Sequence, residues 1–289
     1  MSAIPESIGL EPVTGGSGRG RRRLARSAII AVCLAYLSVL ILAPLAVILL
    51  VALRPGWHIV AETFGQADVR HAFLLTVEIA LTTVTVTALF GMIVAWVLAR
   101  QRFIGRSVMN ALVDLPLAVS PVTVGLAAIL LFGRGGWFEP FFAARGIQVV
   151  FALPSMVIVT IFISLPFVIR EVVPVLEELG TSEEDAARTL GASSTQSFLK
   201  VTLPNIRWGL WYGIALTTAR AIGEIGAVLI VSGMIQGQTE TATLYIYRAL
   251  ENRDTASAYM VALALAAISV ILLGSIEFFK RRATRKDKT

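Results

Sequence analysis

The stretch EEDAARTLGASSTQSFLKVTLPNI, residues 183–206, is charged and rich in hydroxyl side chains, and a long apolar run lies on each side of it. Two capping-box patterns, one starting at Thr181 and one at Ser193, predict two short helices. Gly191 between them is typical of a left-handed turn that ends a helix, and Leu203 and Pro204 are predicted to end the second helix. Helices this short are unstable alone in water. The stretch must therefore pack either on its own chain or on a partner protein.

The composition of the chain indicates a membrane protein. Of the 289 residues, 56% are hydrophobic and 15% are charged, and the mean hydropathy is +0.78, whereas soluble domains carry about 25% charged residues. Six apolar segments are each long enough to cross a hydrocarbon core of about 30 Å as a helix. We therefore predict an all-α membrane protein with six transmembrane helices, at residues 27–52, 71–98, 107–132, 149–169, 206–231 and 258–279.

The Lys and Arg residues are distributed unequally about these segments. With the N-terminus inside, 18 of the 25 flank the inner ends and six flank the outer ends, which predicts that both termini face the cytoplasm. This asymmetry explains the net charge of +6, so the charge does not indicate binding to nucleic acid. A contact of the basic N-terminal tail with anionic membrane lipid is a minor additional expectation. We expect a basic, mostly disordered cytoplasmic tail at 1–26, a first transmembrane helix and external loop at 27–70, a core transmembrane domain at 71–279, and a second basic tail at 280–289.

Charged and polar side chains inside the predicted spans are candidates for a transport path. Arg220 and Glu224 are four residues apart in sequence, so they share a helix face and can pair. The residues alone leave open whether this is a structural ion pair or the lining of a substrate path. Asp114, Ser120 and Thr217 are the other candidates, with Asp114 as an additional partner for Arg220 or for a donor elsewhere.

Two of the predicted spans carry local signals that change their packing. The third contains Pro116 and Pro121, which predict a break in the helical hydrogen bonds at membrane depth. In the fifth, small residues such as Gly209 and Gly213 share the face of Arg220. They predict the close approach of a neighbouring helix.

The sequence contains no pattern for catalysis or cofactor binding. It lacks a GxxxxGK[ST] phosphate loop, a His/Glu zinc motif and a GxSxG nucleophile motif, and the single Cys33 excludes a disulfide framework. If ATP drives this protein, another chain must bind the nucleotide. Glu78 in the second apolar segment has no assigned role, and Glu240 in an outer loop is expected to be solvated.

The quoted stretch resembles the loop of ABC-importer permeases whose pattern is Glu-Ala-Ala, three residues, Gly, nine residues and Ile-x-Leu-Pro. Here Asp185-Ala186-Ala187 is followed at the same spacing by Gly191 and by VTLP at 201–204, with Asp in place of Glu and Val in place of Ile. The likeness covers roughly residues 30–280 and is to the W-type subunit of sulfate/thiosulfate permeases. It includes LARQRFIGR (98–106), DLPLAVSPVTVG (114–125) and ARAIGEIGAVLIVSGMIQGQTET (219–241).

This resemblance implies a type I ABC importer permease fold in a bacterial inner membrane, with loop 181–205 forming coupling helices that insert into an ATPase subunit. It implies a sister T-type permease subunit, two ATPase subunits that bind ATP and Mg, an external sulfate-binding protein, and no cofactor on this chain. Import of sulfate or thiosulfate is the expected function. A permease for molybdate or tungstate, or a self-contained secondary transporter, is the alternative. The implied ATPase-coupling residues are Glu184, Asp185, Ala186, Ala187, Gly191, Phe198, Leu203 and Pro204.

Overall fold

Every regular element in the computed structural model, which describes residues 18–54, 56 and 58–286, is a helix. This confirms the predicted all-α class. The α-helices are α1 (Gly18–Leu53), α2 (His58–Gly65), α3 (Ala67–Arg100), α4 (Arg106–Ala118), α5 (Pro121–Phe132), α6 (Glu139–Ala143), α7 (Leu153–Leu179), α8 (Ser182–Thr189), α9 (Ser194–Ser197), α10 (Leu203–Ile222), α11 (Gly226–Ser232), α12 (Ala242–Glu251) and α13 (Thr255–Lys286), and a π-helix occupies Phe198–Thr202.

The first helix, α1, forms a compact unit of its own up to Leu50, and the chain from Val51 onward forms a second unit. Residues 26–53 of α1 are long enough to cross a membrane and contain an 18-residue stretch with a mean hydropathy of 2.8. Because α1 begins at Gly18, residues 18–26 are helical, although the sequence assigned them to a mostly disordered tail. Residues 1–17 of that tail and residues 287–289 of the C-terminal tail lie outside the described residues.

Among the described residues, four helices are long and apolar enough to cross a membrane, and they lie in α1, α3, α7 and α13. The third and fifth predicted spans are instead bent pairs: α4 and α5 meet at 109°, and the α9–α10 helix meets α11 at 52°. Six spans result only if each bent pair counts as one. Extended backbone at Ser120 (φ −60°, ψ 135°) makes the first bend, because a following proline disfavours helical geometry.

The centre of the second unit is α7, against which α3 and α10 pack. A Cβ atom added to Gly209 would lie 2.9 Å from the carbonyl oxygen of Glu171, and one added to Gly213 would lie 2.9 Å from the Cα of Val168. The predicted close approach at the small face of α10 is therefore confirmed, and α7 is the helix that approaches. Buried Met156, Val159 and Leu176 place α7 in the core.

The helix after Ser193 does not end at Leu203 and Pro204, as the sequence predicted, but continues without interruption from Ser194 to Ile222. The five-residue π-helix before Pro204 explains the difference. The N–H of Leu203 donates to the carbonyl of Phe198, five residues back. A widened turn of this kind gives the proline ring room that a regular α-turn denies it.

Candidate functional site

Residues 181–205, which follow α7 and include the first turn of α10, are here called the arm. Gly191 forms its corner with φ +89°, and the N–H groups of Gly191 and Ala192 donate back to α8 at 2.9 and 3.0 Å, as predicted for a left-handed helix end. The capping box of Ser193 and Gln196 is also confirmed. The one predicted at Thr181 is wrong, since its side chain makes no capping hydrogen bond.

The predicted capping box needs the Glu184 side chain to reach back to the start of α8. Glu184 is instead buried, with 6% of its surface exposed. Its Oε1 accepts hydrogen bonds from Arg100 Nε at 3.2 Å, from Arg100 Nη2 at 2.9 Å and from the Thr202 hydroxyl at 2.9 Å. Arg100 Nη1 also donates to the carbonyl of Leu176 at 2.7 Å. Glu184 was expected on the partner-facing side of the arm. It instead fastens α8 to the ends of α3, α7 and the π-helix.

The opposite side of the arm is uncovered. Leu190 is 89% exposed beside the exposed Gly191, and Ala186 on the preceding turn of α8 is also exposed. Ala187 and Phe198 are half-buried. The sequence predicts that the apolar side chains of this stretch pack on their own chain or on a partner, and this chain does not cover Leu190.

The remaining predicted arm residues lie at the edges of this uncovered side. Asp185 is exposed and pairs with Arg188 at 3.3 Å on the next turn. Pro204 is exposed and Leu203 is half-buried at the base of the arm. The arm therefore presents apolar and small side chains at its tip, with a charged pair beside them.

The break between α10 and α11 contains Glu224, whose side chain is 2% exposed. One carboxylate oxygen accepts the N–H of Ala227 at 2.9 Å, in the first turn of α11. The other lies 2.5 Å from Nη1 of Arg220, whose side chain is 30% exposed. The predicted ion pair is therefore present, but it joins the end of one helix to a break rather than two turns of a straight span. The hydroxyl of Thr243 donates to the backbone carbonyl of Glu224 at 2.9 Å.

The break between α4 and α5 lies directly beside the break between α10 and α11. A Cβ atom added to Gly226 would lie 3.0 Å from Pro121 Cβ, and one added to Gly125 would lie 2.9 Å from the carbonyl oxygen of Ala227. Ser120 is exposed at the N-terminal end of α5. We call this region the double break; it comprises residues 119–121 and 223–226.

Two predicted path residues lie elsewhere. Asp114 pairs with Arg170 of α7, through Nε to Oδ1 at 2.7 Å and a second contact from Nη2 to Oδ2. Of the two partners predicted for Asp114, a donor elsewhere is therefore confirmed and Arg220 is wrong. Thr217 is fully buried, and its hydroxyl has no hydrogen-bond partner. It faces the interior of the helix packing rather than an open path.

Glu240 is the carboxylate that sequence reasoning misjudged most. It is 1% exposed and accepts two hydrogen bonds from Arg248 of α12, from Nε at 2.5 Å and from Nη2 at 3.0 Å. These bonds raise the pKa of the Arg248 guanidinium. No local pattern links residues eight apart across a turn, so the sequence offered no signal. Glu78, by contrast, is exposed on α3.

Within the described part of the chain, no three His, Cys, Asp or Glu side chains come close enough to hold a metal ion. The pKa of Tyr245 on α12 is raised chiefly by burial.

The comparisons with known proteins agree among themselves. The family model described as "Binding-protein-dependent transport system inner membrane component" matches residues 87–285. The chain is 45% identical to the sulfate transport system permease protein CysW of Synechocystis over 88% of this chain and 92% of that protein. It is 41% identical to CysW of Escherichia coli K12, over 86% of this chain and 86% of that protein. It is 36% identical to the sulfate transport system permease protein CysT of Salmonella typhimurium, over 88% of this chain and 91% of that protein.

Among solved structures, a bacterial ABC transporter that imports the acidic polysaccharide alginate has a chain that superposes with a TM-score of 0.75. The superposition covers 91% of this chain and 96% of that chain at 15% sequence identity. Similarity at this low identity supports the fold alone.

Proposed function

Because this chain belongs to the family of binding-protein-dependent transport system inner membrane components, we propose that it is the membrane-spanning permease subunit of an ATP-driven ABC importer that carries sulfate or thiosulfate into the cytoplasm. The relatives at 41–45% identity over about nine-tenths of the chain are sulfate permeases. The all-helical fold, with spans at α3, α7 and α13, suits a multi-pass inner membrane protein.

The observation that carries the coupling role is the two-sided structure of the arm. One side is fastened to the spans by buried Glu184, and the other presents exposed Leu190 next to the Gly191 corner. An exposed large apolar side chain on a helical tip is typical of a surface that docks into a groove of a partner. We infer that this tip, with Ala186, Ala187 and Phe198, inserts into the ATPase subunit that binds ATP and Mg.

The double break is the proposed translocation path. Discontinuous helices at membrane depth present backbone polar groups where a water-filled path runs, and the amides of the first turn of α5 lack helical acceptors. The Arg220 side chain pairs with Glu224 through Nη1 and is 30% exposed, so its guanidinium can also attract an oxyanion in the path. Ser120 adds an exposed hydroxyl.

The partners follow from the relatives and from the charge distribution. Both W-type and T-type sulfate permeases are similar to this chain over most of its length, which supports pairing with a T-type sister subunit. The family is described as part of a binding-protein-dependent transport system, which supports capture by an external sulfate-binding protein. We place both termini and the arm in the cytoplasm, with a core transmembrane domain at 71–279 after a first span and external loop.

Replacing Gly191 by Asp tests this function. The substitution places a side chain at φ +89°, which costs about 1–2 kcal/mol, and it puts a carboxylate into the docked tip, where burial without a partner is unfavourable. We expect sulfate uptake to stop and the ATPase to be lost on purification, while the permease pair still forms. The measurements are sulfate uptake by cells and co-purification of the ATPase at matched membrane abundance.

Gly146→Asp is the matched control. Gly146 has φ +65° and, like Gly191, no atom within 4 Å of an added Cβ, but it lies beyond the opposite end of α7. We expect this variant to keep its ATPase and its uptake. Wild-type uptake with a full complement of ATPase in Gly191→Asp would contradict the proposed role of the arm.

A further inference from the structure

Arg100, the last residue of α3, lies where four elements meet. Its guanidinium donates to the Glu184 carboxylate on α8 and to the carbonyl of Leu176 near the end of α7. The same carboxylate accepts the hydroxyl of Thr202 in the π-helix that leads into α10. We call Arg100, Glu184, Thr202 and the Leu176 carbonyl the node.

We propose that Arg100 is a positioning residue through which movement of the arm reaches the spans, so that ATP hydrolysis drives transport only while the node is intact. This inference rests on the proposed function, because it assumes that an ATPase moves the arm. It adds a residue outside the arm itself.

Burial makes the node rigid. The side chains of Arg100 and Glu184 are 8% and 7% exposed, and Thr202 is 3% exposed, so water cannot replace these hydrogen bonds when the arm is displaced. The planar guanidinium donates from three nitrogens in a fixed geometry, and this holds α8 in one orientation relative to α3 and α7. The Asn205 side-chain amide also donates to the Glu183 carboxylate at 2.5 Å, but this contact is exposed.

The node also uses backbone groups that the helices leave unpaired. The carbonyl of Leu176 is among the last four of α7, which have no partner within the helix, and a cation is favoured at a helix C-terminus. The π-helix places Thr202 so that its hydroxyl reaches Glu184 rather than a carbonyl of its own helix. A displacement of α8 therefore acts on α3, α7 and α10 together.

The test uses the whole complex, with both permeases, the ATPase and the external binding protein, in proteoliposomes loaded with ATP. For Arg100→Gln we expect the ATPase to stay bound and active while sulfate uptake falls. The number of ATP molecules hydrolysed per sulfate imported should rise about tenfold or more, because charged hydrogen bonds are worth roughly that factor each. Thr202→Val keeps the side-chain shape, removes one hydrogen bond of the node, and should raise the ratio less.

Arg106→Gln is the control, because Arg106 forms an ion pair with Glu177 at the same end of the bundle but with side chains 38% and 52% exposed. Its ratio should remain that of the wild type. An unchanged ratio in Arg100→Gln would overturn the inference. The inference would also be overturned if Arg100→Gln and Thr202→Val reduced the amount of assembled complex but the remaining complex hydrolysed the wild-type number of ATP molecules per sulfate. The node would then serve folding alone. Absence of the ATPase from the wild-type complex would instead contradict the proposed function.

Discussion

Buried carboxylates at three places in this chain each pair with an arginine: Glu184 with Arg100, Glu224 with Arg220, and Glu240 with Arg248. A buried ion pair adds little net stability compared with an apolar pair, but removing one partner leaves a charge that has lost both water and its counterion. Each pair therefore holds two segments in one arrangement. Glu240 holds the segment that follows α11 against α12.

At this scale we predict that Glu240→Ala destabilises the protein. The unpaired Arg248, 22% exposed, should lower the free energy of unfolding by about 3 kcal/mol, which thermal unfolding of the detergent-solubilised protein would detect. The double variant with Arg248→Ala should recover part of the loss, since no charge remains buried. Glu62→Ala, at an exposed position of α2, should change the unfolding temperature little. A wild-type unfolding temperature for Glu240→Ala would refute the paired arrangement.

At the scale of elements, the important feature is that two broken helices meet at their breaks. Glycine makes this contact possible: a Cβ atom at Gly125 would lie 2.8 Å from Ile230 Cβ on α11. Because α5 and α11 approach so closely, Ser120 and Arg220 belong to one polar region. Two separate straight spans would bury or separate these groups.

We predict that Gly125→Ala separates α5 from α11. Overpacking of this kind costs about 1–3 kcal/mol, so the unfolding temperature should fall and sulfate uptake at matched abundance should decrease. Gly274→Ala in α13 is the same change with no atom within 4 Å of the added Cβ, and it should leave both unaffected. Undiminished uptake by Gly125→Ala would argue against a path at the double break.

At the scale of the whole molecule, the proposed path would have only one of its sides formed by a single chain. The Arg220 side chain is 30% exposed within a single chain, and a dianion crossing about 30 Å of hydrocarbon needs polar groups all around it. The T-type relatives, at 36% identity, are similar enough to form the opposite side of the proposed path with a related polar surface. A heterodimer of two such permeases is therefore the expected membrane domain.

We predict that the intact complex contains one copy of this chain, one T-type permease and two ATPase subunits, and mass measurement of the purified assembly would count them. The Gly191→Asp complex should retain the permease pair and lose both ATPases, because the substitution lies in the arm. Two copies of this chain without a second permease would disprove the heterodimer.

Much of this protein follows from sequence, because the signals are local or additive. Hydropathy summed over about 20 residues predicts each helical span. The Gly191 corner, the capping box at Ser193 and the pair of Arg220 with Glu224 involve residues at most four apart, and all three are present. The same stretch left open whether it packs on its own chain or on a partner, and the exposed Leu190 shows that this chain does not cover the tip of the arm.

The tertiary structure decided which groups these local features meet. Glu184 pairs with Arg100, 84 residues away, and Asp114 pairs with Arg170, 56 residues away, so no spacing rule could choose the partners. Pro204 continues a helix because a π-turn makes room for its ring. The two breaks form one site because their helices pack side by side. Charge pairing and close packing depend on distance in space, and only the folded chain brings segments this far apart in sequence to within a few ångströms.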